Sequence, residues 1–169
     1  TFSNSSYDTG DYQAEADTDF IMQKNHEWAE NIVKKWKFNK DTKHEITPVV
    51  VGGVELREDR KVSEAIDKCQ IQEGVLAGKF ANANASDLKN AVDVAVKDID
   101  GWRSKTNTQR HEILKQVAIK VRERRDDLIG IAAAEVGKVF TETDVEVSES
   151  VDFVEFYAHS ARYFEKYKN

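Results

Sequence analysis

Few side chains in this sequence have the types and spacing that chemistry needs. A nucleophile requires an activated thiol or hydroxyl. The one cysteine, Cys69, lies in the polar run K-C-Q-I-Q-E-G, with no histidine near it in sequence and no evident helix start to lower its pKa. It reads as a structural or surface thiol. His26, His44, His111 and His159 have neither H-x-x-x-H nor Cys partner spacing, so no metal-ligand set is predicted. His159 reads as a helix-surface residue. Asp126 and Asp127 are adjacent carboxylates at a predicted helix start, where they complement the helix dipole rather than form an acid/base couple. Gly52-Gly53 reads as a turn rather than a phosphate cradle, and no G-x-G-x-x-G occurs. Spacing alone assigns no catalytic, cofactor-binding or metal residue.

The totals narrow the class. The chain has 169 residues, 25 Lys+Arg against 31 Asp+Glu, and a formal charge of −6. That balance argues against a nucleic-acid partner, which favours a basic surface. The Lys34–Lys37 and Arg122–Arg125 clusters are read as solvated helix ends. No apolar run approaches the ~20 residues that span a bilayer, and the start lacks a signal-like apolar region. One cysteine allows no internal disulfide, which fits a reducing compartment; no membrane partner and a cytoplasmic location are expected.

Which elements could position functional groups follows from periodicity. Residues 1–19, rich in Ser, Asp, Gly and Thr, predict an irregular or partly disordered arm. Residues 20–47 are expected to hold an N-terminal helix, spanning about 18–37 with Trp28, Ile32 and Trp36 on one face, and a polar linker. Residues 48–60 predict a β-hairpin: a β-branched run, a Gly-Gly pair able to supply positive φ, and a second alternating run. Residues 61–73 read as either a short helix or an irregular strand, and 75–83 as a short strand. A helix capped by Ser86 should then bury Leu88, Ala91, Val92, Ala95, Ile99 and Trp102. Three amphipathic helices follow. The first opens at a Thr106/Gln109 capping box and places Ile113, Leu114, Val117, Ala118 and Val121 on one face. The second runs over about 126–136 and stops at Gly137. The third starts near Thr141, with Val147, Val151, Val154, Ala158 and Ala161 along one side.

R-x-x-I-L-x-x-x-A at Arg110–Ala118, E-V-G-K at Glu135–Lys138 and E-S-V-D-F-V-E-F-Y-A at Glu149–Ala158 resemble the N-terminal third of an aldehyde dehydrogenase. The A-S-D-L run at residues 85–88, with Trp102 further on, agrees. The nearest branch is that of the 1-pyrroline-5-carboxylate dehydrogenases, and residues 18–36 resemble the lead-in to the dehydrogenase half of bifunctional proline-degrading enzymes. The resemblance implies an α/β fold of which this chain carries amphipathic helices, a hairpin and a short strand. Residues 61–169 would be the helical part of the cofactor domain. It departs from the family at 61–73, where an Asn-Pro return is usual and Pro48 is the only proline.

By resemblance, the activity is NAD-dependent oxidation of L-glutamate γ-semialdehyde to L-glutamate in a homo-oligomer. A Cys thiolate, a Glu-activated water and an Asn oxyanion donor would carry it. The P-W-N-F-P, E-L-G-G-K and Gly-rich cofactor motifs do not occur here, so this piece is expected to be inactive alone. Two roles are carried over. The hairpin is either an oligomerisation element or an ordinary surface hairpin. Glu149 is either a carboxylate for the substrate ammonium or an exposed helix Glu; Asp152 reads as a helix-face polar contact. The alternative from another class is a non-catalytic helical protein-interaction module.

Overall fold

The structure, a computed structural model, describes residues 12–165 and Tyr167. The expectation of an irregular arm falls partly outside these residues; the described part, 12–19, has no regular structure. Helix α1, Gln23–Trp36, begins later than its apolar pattern suggested. A turn precedes it, in which Asp19 accepts from the Ile21 main-chain N–H (2.9 Å) and the Asn25 side chain donates to the Asp19 carbonyl (2.7 Å).

After the polar linker come β1, Ile46–Thr47, then β2, Val49–Val51, and β3, Val54–Leu56. Strands β2 and β3 pair antiparallel, with Val51 opposite Val54. Only Gly52 (φ 59°) and Gly53 (φ 82°) lie between them. Two consecutive positive φ values make a two-residue turn whose twist matches the strands, so the hairpin expectation holds. The segment left open over 61–73 divides into strand β4, Val62–Ile66, and a 3₁₀ turn, Lys68–Glu73. Strand β5, Leu76–Ala81, sits between β1, to which it is parallel, and β4, to which it is antiparallel.

Helix α2, Ala85–Lys97, departs from expectation twice. Its cap is Asn84, not Ser86: Asn84 accepts from the Asp87 N–H (3.0 Å) and Asp87 accepts from the Asn84 N–H (3.0 Å). Asp87 is buried because it also takes Arg60 through two guanidinium nitrogens, at 2.9 and 2.5 Å. The apolar face of α2 is not covered: Leu88 is 63%, Val92 62% and Ile99 77% exposed, Ala91 and Ala95 are exposed, and only Trp102 is half-buried. Periodicity marked a stripe that needs a partner, and the described residues supply one only along Val94, against which Gly52 of the hairpin rests.

The three predicted C-terminal helices are present: α3, Asn107–Glu123; α4, Arg125–Val136; and α5, Phe140–Glu165. The Thr106/Gln109 capping box opens α3 as expected, and Gly137 (φ 77°) closes α4. On α3, Ala118 is buried while Ile113 and Val117 keep substantial exposure, so its face is only partly covered. The core joins Ile32 of α1, Ile129 of α4 and Val147 of α5, flanked by Trp28, Trp36, Val121 and Phe140. Gly130 is what lets α1 and α4 approach, because a Cβ there would fall inside the Trp36 indole. Val151 and Ala158 continue the buried side of α5, as its periodicity predicts.

One expectation is reversed. The Arg122–Arg125 run is not a wholly solvated helix end. Arg122 and Arg125, three residues apart across the α3–α4 junction, turn inward to carboxylates, while Glu123 and Arg124 remain exposed.

Candidate functional site

Helix α5 has two differently built sides. Its inward side carries Asp144 and Ser148, one turn apart and both buried. Arg125 donates to Asp144 Oδ1 (2.7 Å), to the Asp144 carbonyl (3.1 Å) and to Ser148 Oγ (2.6 Å). The arm supplies the remaining donors, with the Thr18 N–H at 2.6 Å and its hydroxyl at 2.7 Å from the same carboxylate. Burial works to raise the Asp144 pKa, but the bonds from Arg125 and Thr18 together outweigh it and hold this carboxyl below its ordinary value. One turn further on, Asp152 accepts from the Glu15 N–H (2.7 Å), matching its expected role as a helix-face polar contact. Arg122 bridges Glu15 (2.9 Å) and Glu155 (2.7 Å), bonds that raise its pKa. Arm, α3, α4 and α5 are thus joined by one charge network.

The outward side of α5 carries Glu149. It is exposed, between Val145 and Phe153 at four-residue spacing, with Phe156 beyond. No hydrogen bond or ion pair among the described residues engages its carboxylate, although Glu146, one turn earlier, is taken by Lys138.

Cys69 is exposed, as expected of a surface thiol, but its surroundings were not legible. It lies in the first turn of the 3₁₀ segment, where Asp67 accepts its main-chain N–H (2.8 Å), and its Sγ lies 3.4 Å from the Ala133 carbonyl oxygen. It borders a cleft of about 380 Å³ lined by Ile32, Trp36, Gly130, Ala134 and Phe140. Lys37 lines the same cleft, but among the described residues no hydrogen bond joins it to the thiol, and no histidine lines the cleft. Asp126 and Asp127 do sit in the first turn of α4, and Lys35 of α1 pairs with both. His111 and His159, unrelated in sequence, come together in a cleft between α3 and α5. Spacing within one helix could not reveal that pair; only the antiparallel packing of α3 on α5 does. No group of three His, Cys, Asp or Glu that could hold a metal ion occurs among the described residues.

A glycine turn opening onto a free helix N-terminus is one common phosphate site of dinucleotide-binding folds. Here the N-termini of α2 and α3 are filled by their own capping boxes, and Gly52 and Gly53 serve the hairpin. No described helix is long and apolar enough to cross a membrane.

Residues 57–168 match the aldehyde dehydrogenase family, and the chain belongs to that family. The 1-pyrroline-5-carboxylate dehydrogenase of Staphylococcus haemolyticus is 27% identical over 88% of this chain, which covers 28% of that relative. A second relative, 1-pyrroline-5-carboxylate dehydrogenase 2 of Bacillus subtilis, is 29% identical over 66% of this chain and 21% of its own length. The chain thus spans about a quarter of the curated relatives it matches. Among solved structures, proline utilization A from Bdellovibrio bacteriovorus superposes with a TM-score of 0.81 at 22% identity, over 92% of this chain and 16% of that one. The 1-pyrroline-5-carboxylate dehydrogenase from Thermus, solved with bound NAD, gives 0.77 at 21% identity, over 87% and 27%. The fold is the α/β fold of the aldehyde dehydrogenases, represented here by its N-terminal part.

Proposed function

We propose that this chain is the N-terminal part of an NAD-dependent dehydrogenase that oxidises L-glutamate γ-semialdehyde, in equilibrium with 1-pyrroline-5-carboxylate, to L-glutamate in proline degradation. The observation that carries the reading is Glu149, exposed on α5 and without a partner among the described residues, within a chain whose relatives bear that enzyme's name. An amino-acid aldehyde presents an ammonium at its far end. Glu149 can pair with that group while Val145 and Phe153 cover the methylenes. A simple alkyl aldehyde has nothing to offer the carboxylate.

The other parts take supporting roles. Residues 48–60 form a hairpin for pairing subunits in a homo-oligomer, 20–47 tie the arm to the core, and 61–169 build the outer helices of the cofactor domain. NAD supplies the hydride acceptor when bound, through residues outside this chain. This piece alone does not turn over, and the enzyme works in the cytoplasm.

The test is Glu149→Gln in the full-length enzyme. One charge-assisted contact is worth ~1.5–3 kcal/mol, so kcat/KM for the amino-acid aldehyde should fall roughly 10- to 100-fold. Turnover of propanal should be unchanged. Equal losses on both substrates would refute the role given to Glu149.

A further inference from the structure

The arginines of this chain are well partnered, with one exception. Arg57, Arg60, Arg103, Arg110, Arg122, Arg124 and Arg125 each donate to a carboxylate or carbonyl. Arg162, half-buried on α5, has no hydrogen-bond or ion-pair partner among the described residues, in a protein carrying a net charge of −6. It lines the α3–α5 cleft of about 470 Å³ with His111 and Lys115 from α3 and His159 from α5. Among the described residues Lys115 is also unpaired, and His111 Nδ1 is buried without a hydrogen-bond partner. The small side chain of buried Ala158, between Glu155 and Arg162 on α5, leaves the floor open, and Tyr12 closes one side.

Two carboxylates also border the cleft. Glu155 is taken up by Arg122 at 2.7 Å, and Asp152, which acts on Tyr12 at the edge, accepts from the Glu15 N–H. Among the described lining residues Glu112, exposed at the rim, is thus the one acid without a partner. Two fixed cations and two imidazoles therefore face a single free carboxylate. Leaving a partly buried guanidinium and a buried ring nitrogen without partners costs stability that a bound anion would restore. A guanidinium fork binds tetrahedral oxyanions through paired N–H groups, and an adjacent ammonium adds charge without fixed geometry.

We propose that the α3–α5 cleft binds a small dianionic oxyanion, a phosphate or a phosphate monoester, held by Arg162 and Lys115 with His111 and His159 as further donors. The volume suits a small molecule. The site lies on the side of α5 that packs on α3, away from Glu149, and does not rest on the reading given to that residue. Burial first, and then the positive charge of Arg162, hold the His111 pKa below its ordinary value; a dianion in the cleft would push it back up.

The test is a titration of the chain with inorganic phosphate and, separately, phenyl phosphate, at fixed ionic strength. Imidazole C–H resonances report it, and acetate serves as control. Expected are saturable shifts of His111 and His159, none of His26 or His44, and a rise of the His111 titration midpoint. Tighter binding of phenyl phosphate identifies an ester as the natural ligand, and equal binding identifies the phosphate group alone; either supports the site. Arg162→Gln and Lys115→Gln should each weaken binding roughly tenfold, as loss of one charge-assisted contact implies. Lys115 is exposed, so its variant keeps the fold if the other does not. No saturable shift up to roughly 10 mM, the range of a marginal complex, an equal response to acetate, or unchanged binding in both variants would overturn the proposal.

Discussion

Gly130→Ala tests how α1 is held. In an exposed helix interior this change should stabilise, because Ala outranks Gly by about 1 kcal/mol. At Gly130 the added methyl meets Cδ1, Cγ and Nε1 of Trp36, which are the body of the five-membered ring rather than a movable tip. The ring has no easy retreat, since it belongs to the shell packed on Ile32, Ile129 and Val147. Overpacking of this kind costs about 3 kcal/mol at the upper end of the usual range. Subtracting the propensity gain leaves a net loss of about 2 kcal/mol. For a chain of 169 residues that is a fall in Tm of about 4–8 °C. Urea denaturation followed by tryptophan fluorescence would give the free energy, and calorimetry the Tm. The same change made in a Trp36→Leu background should cost at least about 0.5 kcal/mol less, a coupling expected only of residues in contact. A Gly130→Ala protein as stable as the parent, or additivity with Trp36→Leu, would refute the close α1–α4 approach.

Three further outcomes follow from the charges and the uncovered faces. Arg125→Met strands Asp144, whose side chain is 1% exposed, and should cost about 3 kcal/mol at pH 7 by chemical denaturation. The carboxyls of Asp87, Asp127 and Asp144 are all held below their ordinary values in the fold: Asp87 first by Arg60, Asp127 first by Lys35, and Asp144 by Arg125 and Thr18 against its burial. Their stabilisation is therefore complete above the unfolded carboxylate range, near pH 4, and is lost as pH falls through the lowered folded values; a Tm series from pH 7 to pH 3 should show that fall, and Asp144→Asn should flatten it. Val96→Lys, on the exposed stripe of α2, should reduce binding of an apolar dye while changing the unfolding free energy by under about 0.5 kcal/mol.

Local signals carried most of the fold. The Gly52-Gly53 turn, the Thr106/Gln109 box and the Gly137 stop depend on residues within one turn of each other, and all three stand where their chemistry puts them. The cap of α2 was misread because Ser86 and Asn84 are both good caps; what favours Asn84 is Asp87 at the third position, itself fixed by Arg60 from another segment. The inward turn of Arg122 and Arg125 was invisible for a similar reason. Their partners Glu15, Asp144 and Glu155 lie on elements whose packing no local pattern specifies. Periodicity likewise marked Leu88, Val92 and Ile99 as apolar in register without telling whether anything would cover them. At the candidate site, the role proposed for Glu149 comes from family resemblance alone, and the meeting of His111, His159 and Arg162 follows from neither pattern nor resemblance.

The clasp of residues 15–18 on α5 also bears on the order in which the molecule assembles. Thr18 and Asp144 are 126 positions apart, and closing a flexible chain over that distance costs about 4 kcal/mol in loop entropy. Asp144 holds Thr18 while Arg125 holds Asp144, so the receiving surface exists only after α3, α4 and α5 have packed together. During synthesis the arm leaves the ribosome long before that surface is made. It must wait as unpaired chain while α3, α4 and α5, whose bonds to one another span 19 to 58 positions rather than 126, pack first. Fastening the arm is then a late step, and its release is the opening through which a protease or a chaperone would first reach an otherwise folded helical core.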